Sequence, residues 1–216
     1  MSSWLPWVLN KAVLVSTSVL LGAFFVHWLA DHPLIWEGPK VHSAAVSAAL
    51  RYYSHIYHAP PFYGRTLGGL AGVALGSSLL KLVLNPVQGL LFDGATFMLL
   101  ASALAVYTSN VLAALRYLPL DALAPGSPSS LSAAHALAEN LGGEVRLVEA
   151  LQSVAASHMI IAVSLTGVLA LQGAQGWAER PSSAGQAIIP AAGVVPATQT
   201  APVPVHGEKE PEKGAA

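Results

Sequence analysis

The apolar residues of this chain do not recur at helical or strand period; they gather into four long blocks from which Asp, Glu, Lys and Arg are almost absent. The first block, Ala12–Ala30, runs 19 residues without a formal charge, which suits one crossing of a hydrocarbon core about 30 Å thick. It follows Lys11 and is expected to stop at Asp31, with Pro33 just behind. The run exceeds the apolar stretch of an ordinary signal peptide, roughly 7–15 residues, and no small-x-small site follows it, so an uncleaved span is expected. The second block lies between Arg65 and Lys81, sixteen residues apart and only about 24 Å long as a helix. Apolar flanks at Phe62, Tyr63 and Leu82–Leu84 let both cations snorkel toward the headgroups, extending this span to about 62–84. Pro60 and Pro61 before it and Asn85-Pro86 after it read as its start and stop. The third block, Gly94–Leu115, has 22 residues between Asp93 and Arg116. The fourth, Ala150–Ala178, has 29, more than one crossing needs. Its membrane portion is placed at about 157–177, with Gln152 and Ser153 in an interfacial first turn.

The four spans, about 12–30, 62–84, 94–115 and 157–177, predict an all-α membrane protein: a four-helix transmembrane bundle over residues 1–178, then a disordered tail over 179–216. The tail holds six prolines and a closing Glu-Lys-Glu-Pro-Glu-Lys cluster, a composition that cannot bury enough apolar area to offset chain entropy. Four crossings put both chain ends on one side and two longer loops, 31–61 and 116–149, on the other. Lys and Arg divide five against five between the sides, so charge does not choose the orientation. Trp4, Trp7, Trp28, Trp36 and Trp177 fall near the expected boundaries, as an aromatic belt would. Composition sharpens this picture: 54% of residues are hydrophobic and 10% charged, against roughly 25% charged in a soluble domain. A net charge of -1 offers no basic face to a polyanion. The lipid bilayer, not nucleic acid, is the expected surrounding. Zero cysteines exclude disulfides, CxxC redox chemistry, thiolate zinc sites and thiol nucleophiles.

Gly68, Gly72 and Gly76 recur every fourth residue and clear one stripe of the second span for close helix approach, either inside the bundle or toward a client or second copy. Ala101, Ala105 and Ser109 repeat the device on the third span, which makes spans two and three expected neighbours. No carboxylate or amine is expected mid-membrane, which weighs against a pump, proton-coupled transporter or ion channel. The alternative of a small four-span transporter or channel component would line a path with Thr96, Asn110 and His158. His158 reads instead as a hydrogen-bonded interfacial residue, one whose loss leaves function nearly intact. The first loop is rich in histidine: His27, His32, His42, His55 and His58. The i, i+3 spacing of His55 and His58 could hold a metal, but the surrounding Arg51–His58 segment reads better as an amphipathic helix lying at the interface. There is no HExxH, GxSxG, GxGD, Walker loop or GxGxxG, so no enzyme, metal or cofactor is expected.

Four stretches carry a resemblance to a known family. The first span ends in His27-Trp28-Leu29-Ala30-Asp31-His32-Pro33-Leu34-Ile35-Trp36, and its loop continues with Ala49-Leu50-Arg51-Tyr52-Tyr53 and Ile56-Tyr57-His58-Ala59-Pro60-Pro61. The third span opens with Leu91-Phe92-Asp93-Gly94. The fourth carries Ala155-Ala156-Ser157-His158-Met159-Ile160-Ile161, then Leu165-Thr166-Gly167-Val168-Leu169 and Leu171-Gln172-Gly173. In order and spacing these resemble the fungal endoplasmic-reticulum packaging chaperones for amino-acid permeases. The resemblance implies a membrane domain that shields nascent permease spans, a tail that helps present folded permeases to COPII coat components, both termini cytoplasmic, and no cofactor. The tail here is Pro/Ala-rich where family tails carry more lysine.

Overall fold

The structure, a computed structural model, describes residues 4–36, 43–84, 90–118, 120 and 144–178. It contains α1 (Trp4–Trp36), α2 (Ser43–Tyr57), α3 (Pro61–Leu84), α4 (Phe92–Val106), a π turn (Tyr107–Val111) that leads directly into α5 (Leu112–Tyr117), and α6 (Glu144–Ala178). No strand occurs among the described residues. Four helices are long and apolar enough to cross a membrane: α1, α3, the continuous Phe92–Tyr117 helix and Arg146–Ala178 of α6. The fold is the all-α, four-span membrane bundle read from the apolar blocks. The expected tail, 179–216, lies outside the described residues, as do His42 and the expected stop at Asn85-Pro86.

Helix α3 begins at Pro61, where proline costs no hydrogen bond because a first-turn N–H has no intrahelical acceptor. Helix α1 runs past its expected end, through Asp31 and Pro33 to Trp36. The reason is that neither residue meets what would stop it. Asp31 is neutralised by partners from α2 and α6 instead of facing the headgroups, and Pro33 lies so near the end that only a few hydrogen bonds are affected. Leu34 is fully buried, and its carbonyl, orphaned at the helix end, accepts from Gln152 Nε2 at 3.1 Å.

The spans pack as a ring in the order α1, α3, α4, α6, with α6 closing on α1. Helix α6 is the hub: 39% of its most apolar stretch is buried, against 17–22% in the other three spans. Its inward residues, Leu151, Val154, His158, Ile161, Leu165 and Val168, alternate three and four apart, which keeps one stripe on the core for most of the helix. Helix α2 uses the same spacing on a shorter scale. Val46, Ala49, Leu50 and Tyr53 are buried, and this face seats α2 on α1 and α6 at the loop-bearing end.

Candidate functional site

Two buried polar clusters hold the ring, one at each end. At the loop-bearing end, Asp31 of α1 accepts a hydrogen bond from the Tyr53 hydroxyl of α2 and pairs with His158 Nδ1 of α6 at 2.8 Å. The Tyr53 hydroxyl also lies 3.4 Å from His158 Nδ1. Because the carboxylate can only accept, Nδ1 of His158 carries the proton toward it. His27 stacks on His158 with ring centres 4.7 Å apart and planes at 15°, and its Nδ1 meets the Tyr52 hydroxyl at 2.7 Å. Burial, then the charge fields of Tyr63 and Asp31, pushes the Tyr52 phenol up to about 12. Burial first and Asp31 second push the Tyr53 phenol higher still. Both phenols therefore keep their protons and act as donors, and Nδ1 of His27 accepts.

At the other end, Lys81 of α3 pairs with Asp93 of α4 at 2.5 Å. The same ammonium donates to Asn10 Oδ1 at 3.3 Å, Gln172 Oε1 at 3.1 Å and Gln175 Oε1 at 3.2 Å, and Gln172 Nε2 donates to Thr96 Oγ1 at 3.0 Å. Start of α1, end of α3, start of α4 and end of α6 thus meet around one cation. Asn10 and Asp31, one in each cluster, are 21 residues apart on α1, about 32 Å along the helix and close to the hydrocarbon thickness.

This overturns the snorkelling expected of Lys81. A side chain turned to the headgroups would be exposed, whereas Lys81 and Asp93 are 5% and 2% exposed. The pair also had a sequence signal that span-by-span reading misses: opposite charges bracketing the short 82–92 connection can meet only across it. Arg65, by contrast, is exposed. His158 is likewise more than an interfacial residue, since it is 5% exposed and shares Asp31 with Tyr53.

The glycine stripe does not pack inside the bundle. Gly68, Gly72 and Gly76 are exposed, and a Cβ added at any of them meets nothing within 4 Å. The inward face of α3 is Ala74, Ser77, Ser78 and Lys81, on the opposite side of the helix. On the third span Ala105 and Ser109 are exposed and Ala101 half-buried, while Leu100 and Ala103 take the core. Spans α3 and α4 are neighbours, as expected, but not through these small residues. The glycine that does mark a close approach is Gly167, where an added Cβ would stand 3.1 Å from Leu99 Cδ1 of α4. Gly167→Leu is expected to overpack this contact and destabilise the protein by about 1–3 kcal/mol, whereas Gly72→Leu leaves stability unchanged. Thermal unfolding of the two variants in detergent checks the contrast.

The remaining motif residues are structural in position. Ser157 donates to the Ser153 carbonyl at 2.8 Å, and Trp28 meets His32 edge-on at 5.5 Å. A Cβ added at Gly94 would stand 3.9 Å from Leu82 and Leu90, an ordinary contact, and one added at Gly173 would meet nothing within 4 Å. Pro33 lies within α1, and Tyr57, Pro60 and Pro61 line the upper end of a cavity of about 400 Å³ between the spans. Among the described residues no group of three His, Asp or Glu side chains could hold a metal ion, and His58 Nδ1 is engaged with the Ser54 carbonyl at 2.9 Å.

Four spans in a ring, tied by polar clusters at both faces and presenting small residues outward, define a polytopic helical membrane protein. The family model SHR3_chaperone, described as ER membrane protein SH3, matches residues 6–191. The chain belongs to this family and is a multi-pass chaperone of the endoplasmic-reticulum membrane. No curated protein and no solved structure matches the chain.

Proposed function

We propose that this protein assists the folding of amino-acid permeases in the endoplasmic-reticulum membrane and their packaging into COPII vesicles. The observation that carries the reading is the family match over residues 6–191. The outward small residues, Gly68, Gly72 and Gly76 on α3 and Ala101, Ala105 and Ser109 on the third span, are the client face. A large transporter inserts spans whose polar or broken segments lack partners until later spans arrive, and each unsatisfied group in hydrocarbon costs several kcal/mol. A bare helix backbone with scattered hydroxyls can cover such a face. Contacts of this kind are worth about 0.6–2 kcal/mol each, weak enough to release a folded client. In this reading both termini are cytoplasmic and residues 179–216 contact the coat.

The test is to delete the gene in its source organism and image tagged amino-acid permeases beside an unrelated polytopic membrane protein. Retention of the permeases alone in the endoplasmic reticulum is the expected result; normal arrival of the permeases at the cell surface would reject the client assignment. In the complemented strain, Gly72→Leu is expected to accumulate normally and to recover several-fold less permease on co-purification. Unchanged recovery would move the client face elsewhere.

A further inference from the structure

The cavity between the spans meets the proposed client face only at Gly68, and its chemistry is specific. It is backed by Phe24 of α1 and Leu165 of α6 and roofed by the α2–α3 connection at Ala59–Pro61. Its rim residues Tyr63 and Gly68 on α3, Leu104 on α4 and Tyr107 in the π turn are exposed, so it opens sideways between these helices, toward lipid. Helix α3 runs along it from Tyr63 to Leu75, a rise of about 18 Å and close to the ~15 Å of one leaflet's hydrocarbon. A volume of about 400 Å³ falls in the range of small-ligand pockets.

We propose that this cavity binds one neutral, hydroxyl-headed membrane lipid of the sterol class. Polarity is graded along its height. Tyr63, Tyr107 and His27 stand toward the loop-bearing end, whereas Leu20, Leu75 and Leu100 line the deeper end. Neither the Tyr63 nor the Tyr107 hydroxyl has a protein hydrogen-bond partner among the described residues, although both line the space. His27 uses Nδ1 on Tyr52, so its Nε2–H is left as a donor. Three neutral groups can therefore meet a hydroxyl, which both donates and accepts. Among the described residues no Asp, Glu, Lys or Arg lines the cavity, so a phosphate headgroup would find no countercharge from them. Gly64, Gly68 and Ala71 on one side and Ala23 and Ala103 on the others leave the walls smooth, which suits a rigid, flat apolar body more than a kinked chain. Water gains too few partners to remain in the deep, apolar part.

The test uses the full-length protein in proteoliposomes, a photoreactive alkyne-tagged sterol as probe, and an acyl-photoreactive phosphatidylcholine as comparator. The expected result is saturable sterol labelling, competed by unlabelled sterol and mapping to peptides of α3 and α4, with only diffuse labelling by the phosphatidylcholine. Ala71→Trp, which fills the cavity, is expected to abolish the saturable component. Tyr63→Phe combined with Tyr107→Phe keeps the shape and is expected to raise the half-saturating sterol concentration about tenfold. Labelling that does not saturate, equal labelling of the same peptides by phosphatidylcholine, or unchanged half-saturation in the double Phe variant would overturn the assignment. The readout is lipid capture, so it stands or falls independently of permease delivery.

Discussion

Lys81→Met is expected to be the most damaging single substitution in the bundle, lowering stability by about 3–5 kcal/mol because it strands a buried carboxylate. The two members of this ion pair are not equivalent. Lys81 has three further acceptors, the amide oxygens of Asn10, Gln172 and Gln175, whereas Lys81 is the only partner that Asp93 has among the described residues. Asp93→Asn therefore leaves a cation that is still coordinated, and a loss of about 1–2 kcal/mol is expected, the scale of one charge-assisted hydrogen bond. Lys81→Met combined with Asp93→Leu removes both charges and is expected to recover most of the loss, since replacing a buried pair by apolar side chains is often neutral. Unfolding in detergent, followed for all three variants, separates the cases. Equal losses from Lys81→Met and Asp93→Asn, or no recovery in the double variant, would show that the pair is not what ties α3 to α4.

The number and helical nature of the spans were legible because each rests on long runs of apolar residues, a signal that one misplaced charge does not erase. The loop helix was legible only in its second half: Arg51–His58 read as an amphipathic helix at the interface, whereas α2 begins at Ser43 and buries Val46, Ala49, Leu50 and Tyr53 against the bundle. What escaped the sequence was the direction in which residues at the span ends turn. Asp31, Lys81 and Asp93 each read as a boundary when considered alone, because the cost of burying a charge is visible in one residue and the partner that offsets it is not. The distant partners lie 71 and 127 residues away, Asn10 with Lys81 and Asp31 with His158, and Asp93 lies across a short connection. The glycines mislead for the complementary reason. A four-residue period shows that a stripe is bare, but only the packing of α3 through Ala74, Ser77 and Ser78 decides that the stripe faces outward.

The two clusters also bear on the proposed work of the molecule. Three of the four spans bury only 17–22% of their most apolar stretch, so the ring owes its order to a few ties at its ends and to the α6 hub rather than to broad helix–helix interfaces. That economy leaves long helix faces uncommitted. Exposed Ser102, Thr108, Ser109 and Asn110 stand on the third span, where an unassembled client helix could find hydrogen-bonding groups within the membrane.

Asp31→Leu is expected to release α2 from the bundle without unfolding the spans. The carboxylate ties α1 to both α2 and α6 by hydrogen bonds: it accepts from Tyr53 and from His158, and its loss leaves both without that acceptor. Two hydrogen bonds to a charged group are together worth about 3 kcal/mol or more, which multiplies the undocked population of α2 at least about a hundredfold. Tyr53→Phe removes one of the two and is expected to act about tenfold. Since burial holds the Tyr53 phenol well above its ordinary value, it remains a donor through the neutral and mildly alkaline range, and its contribution to docking is expected to be flat there. The chain contains no cysteine, so a single one introduced at Ala49, fully buried on the inner face of α2, reports undocking without background. Its labelling rate with a water-soluble maleimide should rise in the order parent, Tyr53→Phe, Asp31→Leu, while the Lys81 cluster at the other end of the ring leaves the melting of the spans little changed. Equal labelling in all three would mean that other packing of α2 seats it, and that Asp31 serves only as a hydrogen-bond acceptor for His158.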